Sequence, residues 1–306
     1  MGGVDYPRTY QEFRDWFAAE DVCRDYLAKL RWPDGFSCPS CGEGGFWTTA
    51  QGLRMCQGCE LKTSVTAGTI FHRSHTPLTT WFAAAWLVTS SRNGVSAQGL
   101  RDSLGFGSYE TAWAWLHKFR RAMVRPDRDR LGDPATGVSV EVDQSYLLGY
   151  VPITIAVERT PKGRLGRVRM EVAEKPNGLD TVDFVQDVVI PGTTVHTDAA
   201  APFERLPGLG YPHIVTPSTV RGRKVDTIDA VTPGPHLVSS LLKRWTAGTL
   251  HYRISDTHLP YYLDEFTFRF NRRNSKARGM LFYRLLQQAV ETDPHPLAEL
   301  TNHKGE

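Results

Sequence analysis

Two Cys-x-x-Cys pairs, Cys38/Cys41 and Cys56/Cys59, stand 14 residues apart and account for four of the five cysteines in the chain. A Cys-x-x-Cys turn directs both thiolates at one point. Two such turns supply the closed tetrahedral thiolate shell that structural zinc prefers. Pro39 and Gly42 in the first pair, and Gly58 in the second, give each the sequence of a ribbon knuckle. Disulfides are the competing reading, but a chain of 306 residues buries a core without staples. The spacing predicts a structural zinc ribbon over 36–70, in a reducing compartment, with nucleic acid as the partner.

At this length two or three domains are expected. Met1 to Arg8 holds no apolar run of the kind a leader needs, and Trp81 to Val88 is too short to span a bilayer. A cytoplasmic protein with no membrane partner is therefore expected. The net charge is only +3, but between Arg221 and Arg278 eleven Lys/Arg face five Asp/Glu. That local basic excess marks the segment for a polyanion.

The N-terminal region, 1–35, reads as two helices. Thr9-x-x-Glu12 is a capping box ahead of Phe13, Trp16 and Phe17, and a helix over about Glu20 to Arg31 aligns Val22, Tyr26, Leu27 and Leu30. Cys23 lies inside that helix and reads as a core thiol. After the ribbon, Thr76-Pro77 opens a helix to about Ser90. Ser96 to Leu104 and Tyr109 to Met123, around Gly105-Phe106-Gly107, have helix-turn-helix spacing. The second helix carries Lys118, Arg120 and Arg121 and ends near Arg125, a set suited to DNA phosphates. An ordinary helical hairpin is the other reading of 71–130.

Past a linker at Arg128 to Thr136 the period changes. Val138 to Val142 alternates, Ile153 to Val157 is β-branched, and Val168 to Val172 alternates again. A helix around Leu179 to Val189 and a strand at Thr193 to His196 follow. This order describes a ribonuclease-H-like mixed sheet with flanking helices over 131–306, in a multidomain α/β chain. The tail from Asp293 reads as frayed.

Asp143 ends the first strand of that region and Asp198 lies just past the fourth. In the expected arrangement those strands are neighbours, and two convergent carboxylates repel unless a cation bridges them. Hard oxygen ligands suit magnesium or manganese. Two such ions about 4 Å apart serve in-line phosphoryl displacement. Taken singly, each aspartate is equally well a turn cap. A third ligand is His236, which opens a helix after Thr232-Pro-Gly-Pro235, with Lys243 seven residues on and on the same face. If His236 merely starts the helix, Asp226 or Asp229 takes its place.

The stretches His236 to Trp245 and Tyr262 to Arg273 resemble the transposases of the insertion-sequence-1595 family. Arg31 to Cys38, the ribbon, and Leu61 to Phe71 are similar to that family's N-terminal half, so the resemblance runs from about Phe13 to Val290. Position by position, it puts the family's first catalytic aspartate on Asp143, the second on Asp198, the variable third position on His236, and the helix lysine on Lys243. Two departures stand out. Gln144 follows Asp143 where members often have Glu, and Gly149-Tyr150-Val151 replaces a longer insert.

The resemblance implies an insertion-sequence transposase with a DDE-type site, here Asp-Asp-His, using magnesium or manganese. It would bind terminal inverted repeats and target DNA, cleave to expose a 3′-hydroxyl and join that hydroxyl to the target. It would act as at least a dimer on DNA. Lys243 and Arg244 would hold the backbone near the scissile bond, while Arg269, Arg272 and Arg273 would add salt-dependent affinity. Trp245, Phe266, Phe268 and Phe270 read as core. The alternative is a catalytically inactive, domesticated zinc-ribbon DNA-binding protein.

Overall fold

A computed structural model describes residues 5–124, 128–176, 178–216, 219–220, 223–224, 232–275 and 277–301. The chain divides into two compact units, 1–125 together with 274–306, and 126–273. The second unit is thus an insertion, in sequence, between two parts of the first.

The first unit begins with α1 (Tyr10–Trp16) and α2 (Glu20–Arg31). Thr9 Oγ1 accepts the Glu12 amide at 3.1 Å and Glu12 accepts the Arg8 amide at 2.6 Å, closing the expected capping box one residue wide. Cys23 is fully buried, as a core thiol should be, and desolvation pushes it up to about 12. Three short antiparallel strands form the ribbon in the order β1 (Phe46–Thr48), β2 (Arg54–Cys56), β3 (Lys62–Thr63).

Helix α3 (Leu78–Ser90) starts differently from the expectation. Pro77, not Thr76, is its N-cap, and no side chain of the cap itself bonds the helix. Instead Glu20, from the first turn of α2, accepts the amides of Leu78 and Thr79 at 2.9 and 3.2 Å. A negative group at a helix N-terminus satisfies orphan donors and opposes the helix dipole.

Helices α4 (Ala97–Leu104) and α5 (Tyr109–Ala122) fall where the spacing placed them, each with a serine cap, Ser96 and Ser108. Gly105 turns the chain between them at φ +69°. The expectation of an open, basic recognition helix is not met. Between Ala112 and Arg120 only Trp113 and Lys118 keep partial exposure. Trp115 stacks on Trp81 with ring centroids 3.4 Å apart, and Arg120 is 2% exposed. The apolar residues of α5 surround the helix rather than lining one stripe, so the helix is buried nearly all round.

The second unit holds a five-stranded sheet in the order β6-β5-β4-β7-β8. Its strands are β4 (Ser139–Leu147), β5 (Val151–Arg159), β6 (Leu165–Val172), β7 (Val195–Thr197) and β8 (His213–Val215). β4, β5 and β6 form an antiparallel meander, whereas β7 and β8 add in parallel on the other side of β4. Helix α6 (Asp180–Val188) makes the crossover between β6 and β7. Val140 and Val142 pack with α6 in one core. On the other face α7 (Pro233–Leu250) and α8 (Leu259–Asn271) cover the sheet, packing Val238, Leu242, Phe266 and Phe270 against Ile153, Ile155 and Val157. Phe268 is buried and Trp245 half-buried, so the aromatics expected as core are core.

Both ends of this unit are tied to the edge strand β6. Arg169 and Arg167 donate to the carbonyls of Asp129 and Arg130, each at 2.8 Å. At the other end Asn271 accepts the Val168 amide at 2.7 Å and donates to the Val168 carbonyl at 3.1 Å, and Arg273 donates to the Gly166 carbonyl at 3.0 Å. A side-chain amide here does what a further strand would do, pairing backbone groups that an edge leaves open.

Helix α9 (Arg278–Ala289) returns to the first unit, where Phe282 meets the rings of Phe13, Phe17, Phe82 and Trp86 at 5.5 to 5.7 Å. Helix α10 (Leu297–Thr301) follows in the stretch expected to fray, with Leu300 1% exposed. Packing therefore divides the chain at 273/274, whereas the strand-to-helix pattern had run the second domain on to 306. No helix of the described residues is long and apolar enough to cross a membrane.

Candidate functional site

The ribbon's two knuckles are built alike. In the first, the Gly42 amide donates to the Cys38 carbonyl at 2.9 Å and the Cys38 amide to the Glu43 carbonyl at 3.0 Å. In the second, Glu60 donates to Cys56 and Cys56 to Leu61, both at 3.0 Å. Each knuckle needs a left-handed residue after its second cysteine, Gly42 at φ +76° and Glu60 at φ +59°. The result brings all four sulfurs within 4.8 Å of one another, with Cys38 to Cys59 at 3.6 Å and Cys41 to Cys56 at 3.5 Å. Zinc–sulfur bonds of about 2.3 Å in a tetrahedron space the sulfurs by about 3.8 Å, so the set fits zinc. Backbone amides of Cys41 and Ser40 hold the Cys38 thiol down to about 7, the thiolate a metal requires. Arg54 lies over the rings of Trp32 and Phe46 at 4.3 and 4.5 Å, backing the ribbon.

In the second unit, β4 and β7 pair in parallel with Val140 opposite Val195 and Glu141 opposite His196. Continuing that register carries Asp143 level with Asp198, which follows the last residue of β7. Burial, and beyond it the charge of Asp198, push the Asp143 carboxyl up, against the pull of Thr232 and His236. Asp198 Oδ1 accepts the Ala200 amide at 3.0 Å, so it also shapes its own turn.

Helix α7 lays a polar stripe along β4. Thr232, its N-cap, donates from Oγ1 to Asp143 Oδ2 at 2.8 Å, and His236 Nε2 stands 3.4 Å from the same oxygen. One and two turns further, Ser239 shares a 2.6 Å hydrogen bond with Ser145, and Lys243 Nζ donates to Ser145 Oγ at 3.2 Å. Positions 232, 236, 239 and 243 recur on one helical face, while 143 and 145 share one strand face. His236 lies inside the first turn rather than opening the helix, which starts at Pro233. Asp143, Asp198 and His236 do not close into a knot like the cysteines. Among the described residues only the cysteine set converges within 4.8 Å. Asp226 and Asp229 lie outside the described residues.

Gln144 points to the opposite face, donating to Thr181 at 2.7 Å and Thr154 at 3.3 Å. The departure at this position therefore lies away from the Asp143 carboxylate.

The expected DNA-contacting cations separate into two groups. Lys243 and Arg244 are exposed on α7. Arg269 instead forms a part-buried pair with Glu265 at 2.7 Å, and Arg272 lies over the Phe268 ring at 4.0 Å. Arg273 is exposed yet spends its guanidinium on β6 carbonyls and the Phe270 ring. In α5, Arg120 is buried, Lys118 is half-buried with its pKa lowered by desolvation, and Arg121 contacts His295 and Glu299 at 2.8 and 2.7 Å. Basic residues at a helix end look alike in sequence whether they meet solvent or a neighbouring helix.

Sequence reasoning passed over Glu141. It is 2% exposed and accepts the Gly234 amide at 2.7 Å and the Arg159 guanidinium. Its place two residues before Asp143 in an alternating strand was the available signal.

Asp143 stands midway along β4 rather than at its end, because the β4/β5 hairpin pairs on to Leu147, while Asp198 does follow the end of β7. A thiolate metal ribbon joined to a mixed α/β unit that aligns these two acids on neighbouring strands defines a class of metal-binding, multidomain α/β proteins. Within it, the chain belongs to the insertion-sequence-1595 family of transposases. A family model described as an ISXO2-like transposase domain matches residues 134–271, and one described as a transposase zinc-ribbon domain matches 18–62. The chain is also 30% identical over 136 residues to the protein named "Uncharacterized protein in transposable element ISH50" from Halobacterium salinarum, a match covering 43% of each. It thus spans less than half the length of that relative. The ribbon match and the cysteine geometry together support structural zinc.

Proposed function

We propose that this chain is a DNA transposase that cuts the ends of an insertion sequence and joins them to target DNA through a ribonuclease-H-like, DDE-type site. The observation that carries the reading is the convergence on β4: the β4/β7 register aligns Asp143 with Asp198, and α7 brings His236 to 3.4 Å from Asp143. The sheet order, three antiparallel strands extended in parallel on one side, supports a ribonuclease-H-like assignment for 131–271.

Asp143, Asp198 and His236 are the residues that would hold magnesium or manganese. Their donor chemistry fits, being two mutually repelling carboxylates and an imidazole. A pair of such cations supplies Lewis-acid activation of the attacking oxygen and charge neutralisation of the leaving one. What the chain itself does is position. Thr232 orients the Asp143 carboxylate, α7 fixes the imidazole against it, and Lys243 and Arg244 place positive charge where a DNA backbone would lie. Arg269, Arg272 and Arg273 serve the fold of this unit more than they serve DNA. Element ends and target DNA are the partners in this reading, with at least two copies joining paired ends.

The test is strand transfer on DNA carrying the element's own ends, with magnesium or manganese. Wild type should join, and Asp198→Ala and His236→Ala should not. Joining that survives Asp198→Ala sinks the reading.

A further inference from the structure

The first turn of α7 contains a single free amide, and a buried acid receives it. Pro233 and Pro235 have no N–H, and the His236 amide donates to the Thr232 carbonyl at 3.3 Å. Gly234 therefore carries the one orphan donor among the first three helical positions. That donor meets Glu141 Oε2 at 2.7 Å. A larger residue would have to push Glu141 aside, because a Cβ would lie 2.7 Å from that carboxylate oxygen and 3.1 Å from Leu165 Cδ2.

Two successive acids on one face of β4 thus hold the helix start. Glu141 takes the Gly234 backbone and Asp143 takes the Thr232 hydroxyl. Both contacts fall within one turn of His236. Glu141 itself is badly placed to bind a cation. One oxygen faces the Gly234 amide, the other the Arg159 guanidinium, and the side chain is 3% exposed.

We propose that Glu141 is a positioning residue for the Asp143 site. Its carboxylate sets the rotation and axial placement of α7, so that His236 and Lys243 face β4. This rests on the reading of Asp143, Asp198 and His236 as the cation-holding site, but the anchoring is measurable without that reading.

The experiment compares Glu141→Gln, which keeps an acceptor oxygen for Gly234, with Glu141→Ala, which does not. Arg159 is 39% exposed and can turn to water, so neither variant strands a fully buried charge. Zinc-loaded full-length protein is followed by amide hydrogen exchange over 234–240, by manganese titration with electron paramagnetic resonance, and by strand transfer. Glu141→Ala should speed exchange about tenfold, the equivalent of one lost hydrogen bond. It should weaken manganese binding about tenfold or more, as loss of a ligand's supporting partner does. Glu141→Gln should stay near wild type in both. If Glu141→Ala fails to fold, Gly234→Ala must loosen the same segment.

Two results overturn the proposal. Normal exchange in Glu141→Ala removes the anchor. Normal exchange in Glu141→Gln with manganese binding as weak as in Glu141→Ala makes Glu141 a ligand instead. If wild type neither binds manganese nor joins DNA while Glu141→Ala still loosens α7, the anchor stands and the transposition reading falls.

Discussion

His236 reaches Asp143 across 93 positions of sequence, with Nε2 3.4 Å from Oδ2. Because Thr232 already donates to that oxygen, the imidazole and the hydroxyl converge on one side of the carboxylate. His236→Ala should reduce strand transfer by about 10²-fold or more while leaving end binding intact. A gel-shift and joining assay on the same preparations checks this. Equal joining by variant and wild type would move the third position elsewhere.

Zinc should be required by the ribbon alone. Cys56→Ser removes one of four convergent sulfurs, and the remaining turn of ribbon has almost no core beyond Phe36, Cys38 and Cys56. The expected result is loss of the one bound zinc and proteolysis within 36–63, with residues 128–273 still protected. Normal zinc content by metal analysis would contradict it.

Asp264 should make the second unit more stable in mild acid than at neutral pH. Burial raises its carboxyl from 3.8 to about 6, with Arg128 only partly opposing at 3.6 Å. A folded pKa above the unfolded one gives stability that is full below pH 3.8 and lost as pH rises through about 6. Asp264→Asn should therefore gain about 1–3 kcal/mol over wild type at pH 7.5 and show no gain near pH 4. Urea unfolding at both pH values decides it; a neutral variant at pH 7.5 would show that Arg128 cancels the desolvation.

Arg269 and Lys243 should fail in different ways. Arg269→Ala removes the guanidinium 2.7 Å from the Glu265 carboxylate, itself 3% exposed, and should cost about 3 kcal/mol of stability. Lys243→Ala should leave melting unchanged and lower the salt slope of DNA binding by about 1. Binding isotherms from low to high salt separate the two. A reduced slope for Arg269→Ala, with unchanged melting, would restore it as a DNA contact.

Local signals carried well into structure. The cap of α1, the bounds of α2, the placement of α4 and α5 about Gly105, and the alternation of β4 were legible because each depends on residues a few positions apart. Asp198 was legible as a position for a similar reason, since it follows the end of a strand, whereas Asp143, read as a strand end, lies midway along β4, and His236 lies inside the first turn of α7 rather than at its start. What sequence did not disclose was non-local. Glu20 capping α3, Asn271 pairing with β6, the three-residue β8 and the docking of α10 each depend on a partner far along the chain. The same gap misplaced Arg120, whose burial follows from neighbouring helices rather than from its own segment, whereas the half-buried Arg269 pairs with Glu265 one turn back in its own helix.

The anchoring of both ends of the inserted unit on β6 bears on how the whole chain assembles. To dock α9 onto α3, a disordered stretch of about 150 residues would have to close a loop, at an entropic cost of about 4 kcal/mol. Once the sheet has formed, Arg167, Arg169, Asn271 and Arg273 hold the stretch's two ends to a single strand. The loop is then already closed, and the search for Phe282's partners becomes short-range. Refolding of the first unit should accordingly lag behind the second, and substitutions that melt β6 should slow it even though none of them touches an α9 contact.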